Sequence, residues 1–194
     1  MADAAKKQAT YADIEALPPN VVGEILFGAL VTHPRPAPPH VAAAGALSAS
    51  LTVSYQFGSG GPGGWLIMPE PELHLGPHVV SPDIAGWRRE RMLEPPTKAW
   101  FEIAPDWVCE IISPSTEKYD KGDKRRIYAT YEVGHLWQVD PRVKSLEVFA
   151  RQDLDWLLTN TFFESETVTA APFQELAFPL DRLWPFDDVT SPTK

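Results

Sequence analysis

Three residues near the middle of the chain have the types and surroundings for metal-assisted chemistry: Asp83, Glu110 and Lys124. Glu110 lies inside the run Trp-Val-Cys-Glu-Ile-Ile at 107–112, which Ser113 and Pro114 break. Short, apolar and largely β-branched or aromatic, such a run predicts a buried strand rather than a helix. An ionised carboxylate inside it is costly unless a cation meets it, and a metal ion is one such cation. Asp83 stands in a second strand-like run, Val-Val-Ser-Pro-Asp-Ile at 79–84, and Lys124 follows in a helix-like stretch. Glu24 is a further carboxylate within an apolar run, at 21–32.

The stretch 117–132 predicts a helix, with Gly134 just past its end. Asp120, Lys124, Ile127, Tyr128 and Tyr131 share one face of it. That face carries the apolar residues and should pack on the sheet, so Asp120 and Lys124 would point inward, where charges are rarely found unpaired. A solvated i, i+4 pair of the two, stabilising by about 0.2–0.5 kcal/mol, explains Asp120 equally well. Lys124 is the stronger candidate, because a strand bearing a carboxylate lies directly upstream.

The elements that must position these groups follow from the chain order. Thr10 and Asp13 mark a short helix over 11–16, stopped by Leu17-Pro18-Pro19. A strand is expected over 21–32, with Gly28 as a turn or bulge. After the proline-rich loop 34–39, a helix runs from His40 to about Phe57, with Val41, Ala44, Leu47, Leu51 and Tyr55 at helical spacing. The glycine-rich segment 58–64 lacks the Gly-Lys-Ser/Thr ending of a phosphate loop and reads as a connection. Strands are expected at 65–75, 79–87 and 106–112, the first bent or interrupted by Pro69 and Pro71. The loop 88–105 has a length more typical of functional loops than of plain connections. Strands at 135–139, 145–150, 156–161 and 166–170 complete one domain over 1–184, with 185–194 a frayed tail.

Composition bounds the function. Apolar residues make up 44% and charged residues 22% of 194, ordinary for a globular chain. No apolar run reaches the roughly 18 residues of a membrane span, and the first residues lack the apolar core of a secretory signal. The lone Cys109 can form no internal disulfide, which points to a reducing cytoplasm and to a small core residue rather than a nucleophile. A net charge of −9 argues against non-specific coating of nucleic acid. Yet 8 of the 17 basic residues follow Asp83 or Glu110 closely, Arg88 and Arg89 among them, as expected of contacts to a polyanion. A solvated helix face accounts for many of these lysines equally well.

The order helix, three strands, helix, strand, with acids on the second and third strands, resembles the core of the PD-(D/E)XK nucleases. Pro82-Asp83 matches the first half of that signature and Glu110 the second acid. More closely, the chain resembles the Uma family of restriction endonucleases over roughly residues 10–180. The likeness rests on Gly23-Glu24-Ile25-Leu26, Ser81-Pro82-Asp83-Ile84, the run from Glu110 to Thr116, and Asp120 through Asp140. The resemblance implies an α/β (α+β) fold: a restriction-endonuclease-like core with a mixed central sheet flanked by helices and extra N- and C-terminal strands. It implies Mg²⁺, with Mn²⁺ able to substitute, held by Asp83, Glu110 and the carbonyl of Ile111. Glu24 would be an extra ligand or a partner of the metal's waters. Ile112 stands where the superfamily usually carries its lysine, and in this family that role passes to Lys124 on the helix. His40 would contact phosphate or cap its helix, and Asp120 would assist substrate binding.

The expected function is a Mg²⁺-dependent endonuclease-like phosphodiesterase acting on DNA, with a homodimer among the assemblies left open. Two alternatives stand beside it: a nuclease fold kept as a binding or assembly module without turnover, and a metal-dependent hydrolase of a small nucleotide. The five histidines show no zinc-ligand spacing on a helix, and no Gly-x-Ser-x-Gly elbow is present.

Overall fold

Prolines mark both places where the chain changes sheets. In a computed structural model, which describes residues 8–187, the expected strand 79–87 is two strands, β5 (His78–Val80) and β6 (Ile84–Arg88). Pro82, which has no N–H to donate to a ladder, sits in the break between them. The expected strand 65–75 divides likewise at Pro69 to Pro71, into β3 (Trp65–Pro69) and β4 (Leu73–Leu75). Asp83 therefore lies in the crossing between two sheets, not within a strand.

The smaller sheet has the order β2-β1-β5-β4, where β1 is Val21–Leu26 and β2 is Ala29–Pro34. The run 21–32 is thus a hairpin turning at Phe27-Gly28, both with positive φ (49° and 78°), the signature of a two-residue turn matched to strand twist. The larger sheet takes β7 (Trp107–Ile111), β8 (His135–Asp140), β9 (Ser145–Gln152) and β10 (Asp155–Phe163), in the order β10-β9-β8-β7-β6-β3. Only β7 and β8 of this sheet pair in parallel, so the central sheet is mixed. A short ladder of β11 (Thr167–Val168) and β12 (Phe178–Pro179) closes the C-terminal part.

Helix α1 (Tyr11–Glu15) opens on the capping box of Thr10 and Asp13. Helix α2 (Pro38–Leu51) has prolines in its first turn, where a missing N–H does no harm, and runs into a π-helical turn over Thr52–Gln56. The helix buries Ala43, Leu47 and Leu51 and the turn buries Tyr55; Val41, expected on that face, is 53% exposed. The expected helix 117–132 is broken into α3 (Glu117–Asp120) and α4 (Asp123–Thr130). Gly122 stands at the break, with its Cα so close to the preceding turn that an added Cβ would lie 2.7 Å from the Lys118 carbonyl oxygen.

Alternation along β7 divides the core. Trp107, Cys109 and Ile111 face the cluster under α2, while Val108 faces the one that includes Ile127 and Tyr128 of α4. Glu110, two positions from Val108, therefore points toward α4. The order expected for the core is present as α2, β3, β6, β7, α3 with α4, and β8. The loop 88–105 is tied down: Phe101 exchanges backbone hydrogen bonds with Glu72 and His74, and the Trp87 indole donates to the Ile103 carbonyl. Of the expected tail, 185–187 are held by a hydrogen bond from the Asp187 N–H to the Trp184 carbonyl and by a Lys144–Asp187 ion pair; the remainder lies outside the described residues. Among the described residues no helix is long and apolar enough to cross a membrane.

Candidate active site

Each chemical group is delivered by a different element. Asp83, emerging from the sheet crossing, accepts the Ile111 N–H on Oδ2 at 2.6 Å, which fastens it to β7. Its Oδ1 lies 3.2 Å from Nε2 of His40 on the first turn of α2. Glu110 on β7 receives the Lys124 ammonium, 2.9 Å from both carboxylate oxygens, and the Tyr128 hydroxyl on Oε1 at 2.6 Å. Lys124 and Tyr128 are four residues apart on α4, so a single helix face supplies both donors. Lys124 also reaches Glu24 Oε1 and Asp120 Oδ1, each at 3.3 Å, and donates to the Ser81 carbonyl. Glu24, from β1, accepts the Ser81 N–H at 2.8 Å and lies 3.6 Å from His33 Nε2 on β2.

One ammonium thus serves three carboxylates, with Asp83 a fourth acid alongside. Glu110, Glu24, Asp120 and Lys124 are all 3% exposed or less. Burial pushes the Glu110 carboxyl well up despite the opposing pull of Lys124, and neighbouring Asp120, Asp83 and Glu24 push the same way. Burial raises Asp120 too. For Glu24 burial is outweighed by Lys124, His33 and the Ser81 N–H, and its carboxyl is lowered. Burial alone would lower Lys124, but Glu110 and Glu24 hold its ammonium firmly protonated. Glu24 raises the His33 imidazole, and against its burial His40 is raised by Asp83, so the four acids face two titratable cations but are short of fixed positive charge, which Lys124 alone supplies.

That shortage is what a divalent cation would make good. Among the described residues no three His, Cys, Asp or Glu side chains form a metal-holding group by themselves. Mg²⁺ does not require one, because it takes one or two carboxylates and completes its octahedron with waters and phosphate oxygens. The donor set is all hard oxygen, and Asp83, with 17% of its side chain exposed, opens it to the outside. The residues fit the ion.

The opening is a cleft of 380 Å³ with Asp83, Glu110 and Lys124 at its base. Pro34 to Ala37 form one wall and Ser113 to Thr116 the other, with Arg35 on the first. The Ser113 hydroxyl is engaged by those of Ser115 and Thr116.

The structure brings together Glu24, Asp83, Glu110, Asp120, Lys124 and His40. Ile111 meets the site through its N–H. Arg88 and Arg89 are a different matter, for they lie at the far end of β6, about 16 Å from Asp83 at ~3.3 Å per strand residue. There the Arg88 guanidinium stacks 4.7 Å over Trp65 and Arg89 reaches the Trp65 carbonyl, so neither lines the cleft. A contact of Arg88 and Arg89 with substrate, as expected from sequence, would therefore fall outside the cleft, because a strand carries its two ends apart. Three participants were not singled out by type, namely Tyr128, Ser81 and His33. Tyr128 was signalled by its place four residues after Lys124; Ser81 acts through its backbone and has no signal in sequence.

A solved structure from Anabaena variabilis, described as a "putative nuclease belonging to DUF820", is similar with a TM-score of 0.74 and 22% identity over 92% of this chain and 98% of that one. The likeness shows that this mixed-sheet α+β fold is shared. No curated protein matches the chain. The profile of the Uma2 family, whose description reads "Putative restriction endonuclease", matches residues 9–181, nearly all of the fold and every group at the cleft, and the chain belongs to that family.

Proposed function

We propose that the protein is a metal-dependent endonuclease-like phosphodiesterase acting on DNA. The observation that carries this reading is the buried Glu110–Lys124 pair at 2.9 Å, set at the base of a cleft into which Asp83 opens. The family description and the name of the Anabaena relative support it. Mg²⁺, held by Asp83 and Glu110 with the Ile111 carbonyl as a further oxygen, would supply Lewis acidity and a water of lowered pKa. Lys124, kept protonated by its acids, neutralises charge developing on the phosphate rather than removing a proton. The Ile111 N–H and His40 orient Asp83, and Tyr128 orients Glu110. Glu24 holds Lys124 and the Ser81 backbone in place.

The test is Mn²⁺ calorimetry and plasmid cleavage with Asp83→Ala and Glu110→Ala. Both variants should lose metal binding and cleavage together. Parental Mn²⁺ binding in either removes it from the ligand set. A second reading is favoured by one observation: both oxygens of Glu110 already have partners in Lys124 and Tyr128. A fold kept as an assembly module would need no more than that ion cluster, and the parent protein would then give no Mn²⁺ heat.

A further inference from the structure

A second cavity, of 540 Å³, opens beside the active-site cleft and shares Pro36, His40, Glu70 and Asp83 with it. Its floor is a stripe of small side chains along α2, Ala44, Gly45, Ser48 and Ala49. Val41, Val53 and Phe57 line it while remaining 53%, 46% and 70% exposed. The opposite face of α2 is spent on the core, where Ala43, Leu47 and Leu51 are fully buried. Phe57 follows the π-helical turn as its C-cap, its N–H bonded to the Thr52 carbonyl at 2.9 Å.

We infer that this cavity takes the nucleoside next to the scissile phosphate of a single-stranded nucleic acid, with its base stacked on Phe57 above the small-residue floor of α2. The inference rests on the nuclease reading and deepens it by naming the substrate class. The two cavities meet at Asp83, so a phosphate placed there leaves one flanking nucleoside in the walled cleft and the other on α2. A duplex keeps its bases stacked inside and could not occupy both cavities without unstacking them. Stacking of bases on an exposed aromatic ring is one of the two means by which proteins hold single strands without regard to sequence, the other being cationic groups along the backbone. Among the described residues, Arg35 and Lys124 are the Lys and Arg side chains lining the two cavities, so they offer about two cationic groups to a backbone there. A second copy of the chain is the poorer occupant. Pairing two α2 faces would bring Glu70 and Asp83 of both chains together, each chain carrying a net charge of −9.

The test measures fluorescence anisotropy of a short labelled oligothymidylate and of a duplex, in Ca²⁺ to suppress turnover, with the parent, Phe57→Ala and Gly45→Phe. An added Cβ at Gly45 meets nothing within 4 Å and Gly45 lines the cavity, so a larger side chain there enters it. The parent should prefer the single strand, and each variant should weaken single-strand binding about tenfold while binding Mn²⁺ as the parent does. With about two phosphate contacts, the slope of log affinity against log salt should be shallow, about −1.4. Single-strand binding by both variants at the parental affinity overturns the inference and leaves the nuclease reading intact. Equal affinity for duplex and single strand overturns it too. Loss of Mn²⁺ binding by the parent itself would instead sink the nuclease reading. Sedimentation showing a parental dimer that Gly45→Phe dissociates would assign the cavity to a second copy.

Discussion

Lys124 is the residue on which the site turns. It is 3% exposed and touches Glu24, Glu110 and Asp120 at 2.9–3.3 Å. Removing one member of a buried ion pair leaves the others uncompensated, at about 3–5 kcal/mol. Lys124→Ala should therefore lose about that much stability in urea melts with EDTA present, and Mn²⁺ should restore part of it. Cleavage should be lost even where the variant is folded and metal-loaded. Lys124→Arg should not rescue it, because a planar guanidinium cannot reach three carboxylates arranged around a point charge. Cleavage by Lys124→Ala at the parental rate would remove the lysine from the mechanism.

At the level of elements, the break between α3 and α4 sets the aim of that lysine. A Cβ at Gly122 would stand 2.7 Å from the Lys118 carbonyl oxygen, backbone that cannot swing away. Gly122→Ala should cost about 1–3 kcal/mol, as overpacking does, and displace α4 enough to separate Lys124 and Tyr128 from Glu110. Gly45→Ala, with nothing near its Cβ, should instead raise stability by up to about 1 kcal/mol through helix propensity. Thermal melts of the pair check both signs. Periodicity predicts a helix over 117–132 with Asp120, Lys124 and Tyr128 on its inner face, but the break, where Gly122 leaves helical dihedrals at φ −116° and ψ −95°, is marked in sequence by that glycine alone. Likewise the run 79–87 reads as one strand because Val79, Val80, Ile84 and Trp87 are all buried, in two different sheets. The acids and Lys124 were legible because buried charge in apolar runs is rare. The place of Arg88 and Arg89 outside the cleft was not legible, because nearness in sequence along a strand becomes distance in space.

For the whole molecule, the crowded acids should make stability depend on pH, and on the proposed metal if it binds there. Glu110 and Asp120 have raised folded pKa values, so their contribution is fully present below their unfolded values of about 4.3 and 3.9 and is lost as pH rises through the folded ones. Glu24, lowered, has the opposite sign and is lost as pH falls. His33 and His40, also raised, lose their contribution as pH rises through their folded values, so with four groups against one the protein in EDTA should weaken from mildly acidic to neutral pH. Mn²⁺ should oppose that decline, and at about 100 times its dissociation constant it should add about 2.7 kcal/mol. Denaturant melts across this range with and without metal check it. A flat profile in EDTA would mean the acids are balanced without a cation.

Cys109 gives the same strand a clock. It is the sole cysteine of the sequence, fully buried on β7 next to Glu110, and burial pushes its thiol well up. A thiol reagent can reach it only when β7 leaves its neighbours β6 and β8, so modification at one atom times the opening of the central sheet. Mn²⁺ bound beside it should slow modification in proportion to the stability gained. Labelling of the native protein at the speed of a free thiol, indifferent to metal, would show that the sheet breathes without disturbing the site.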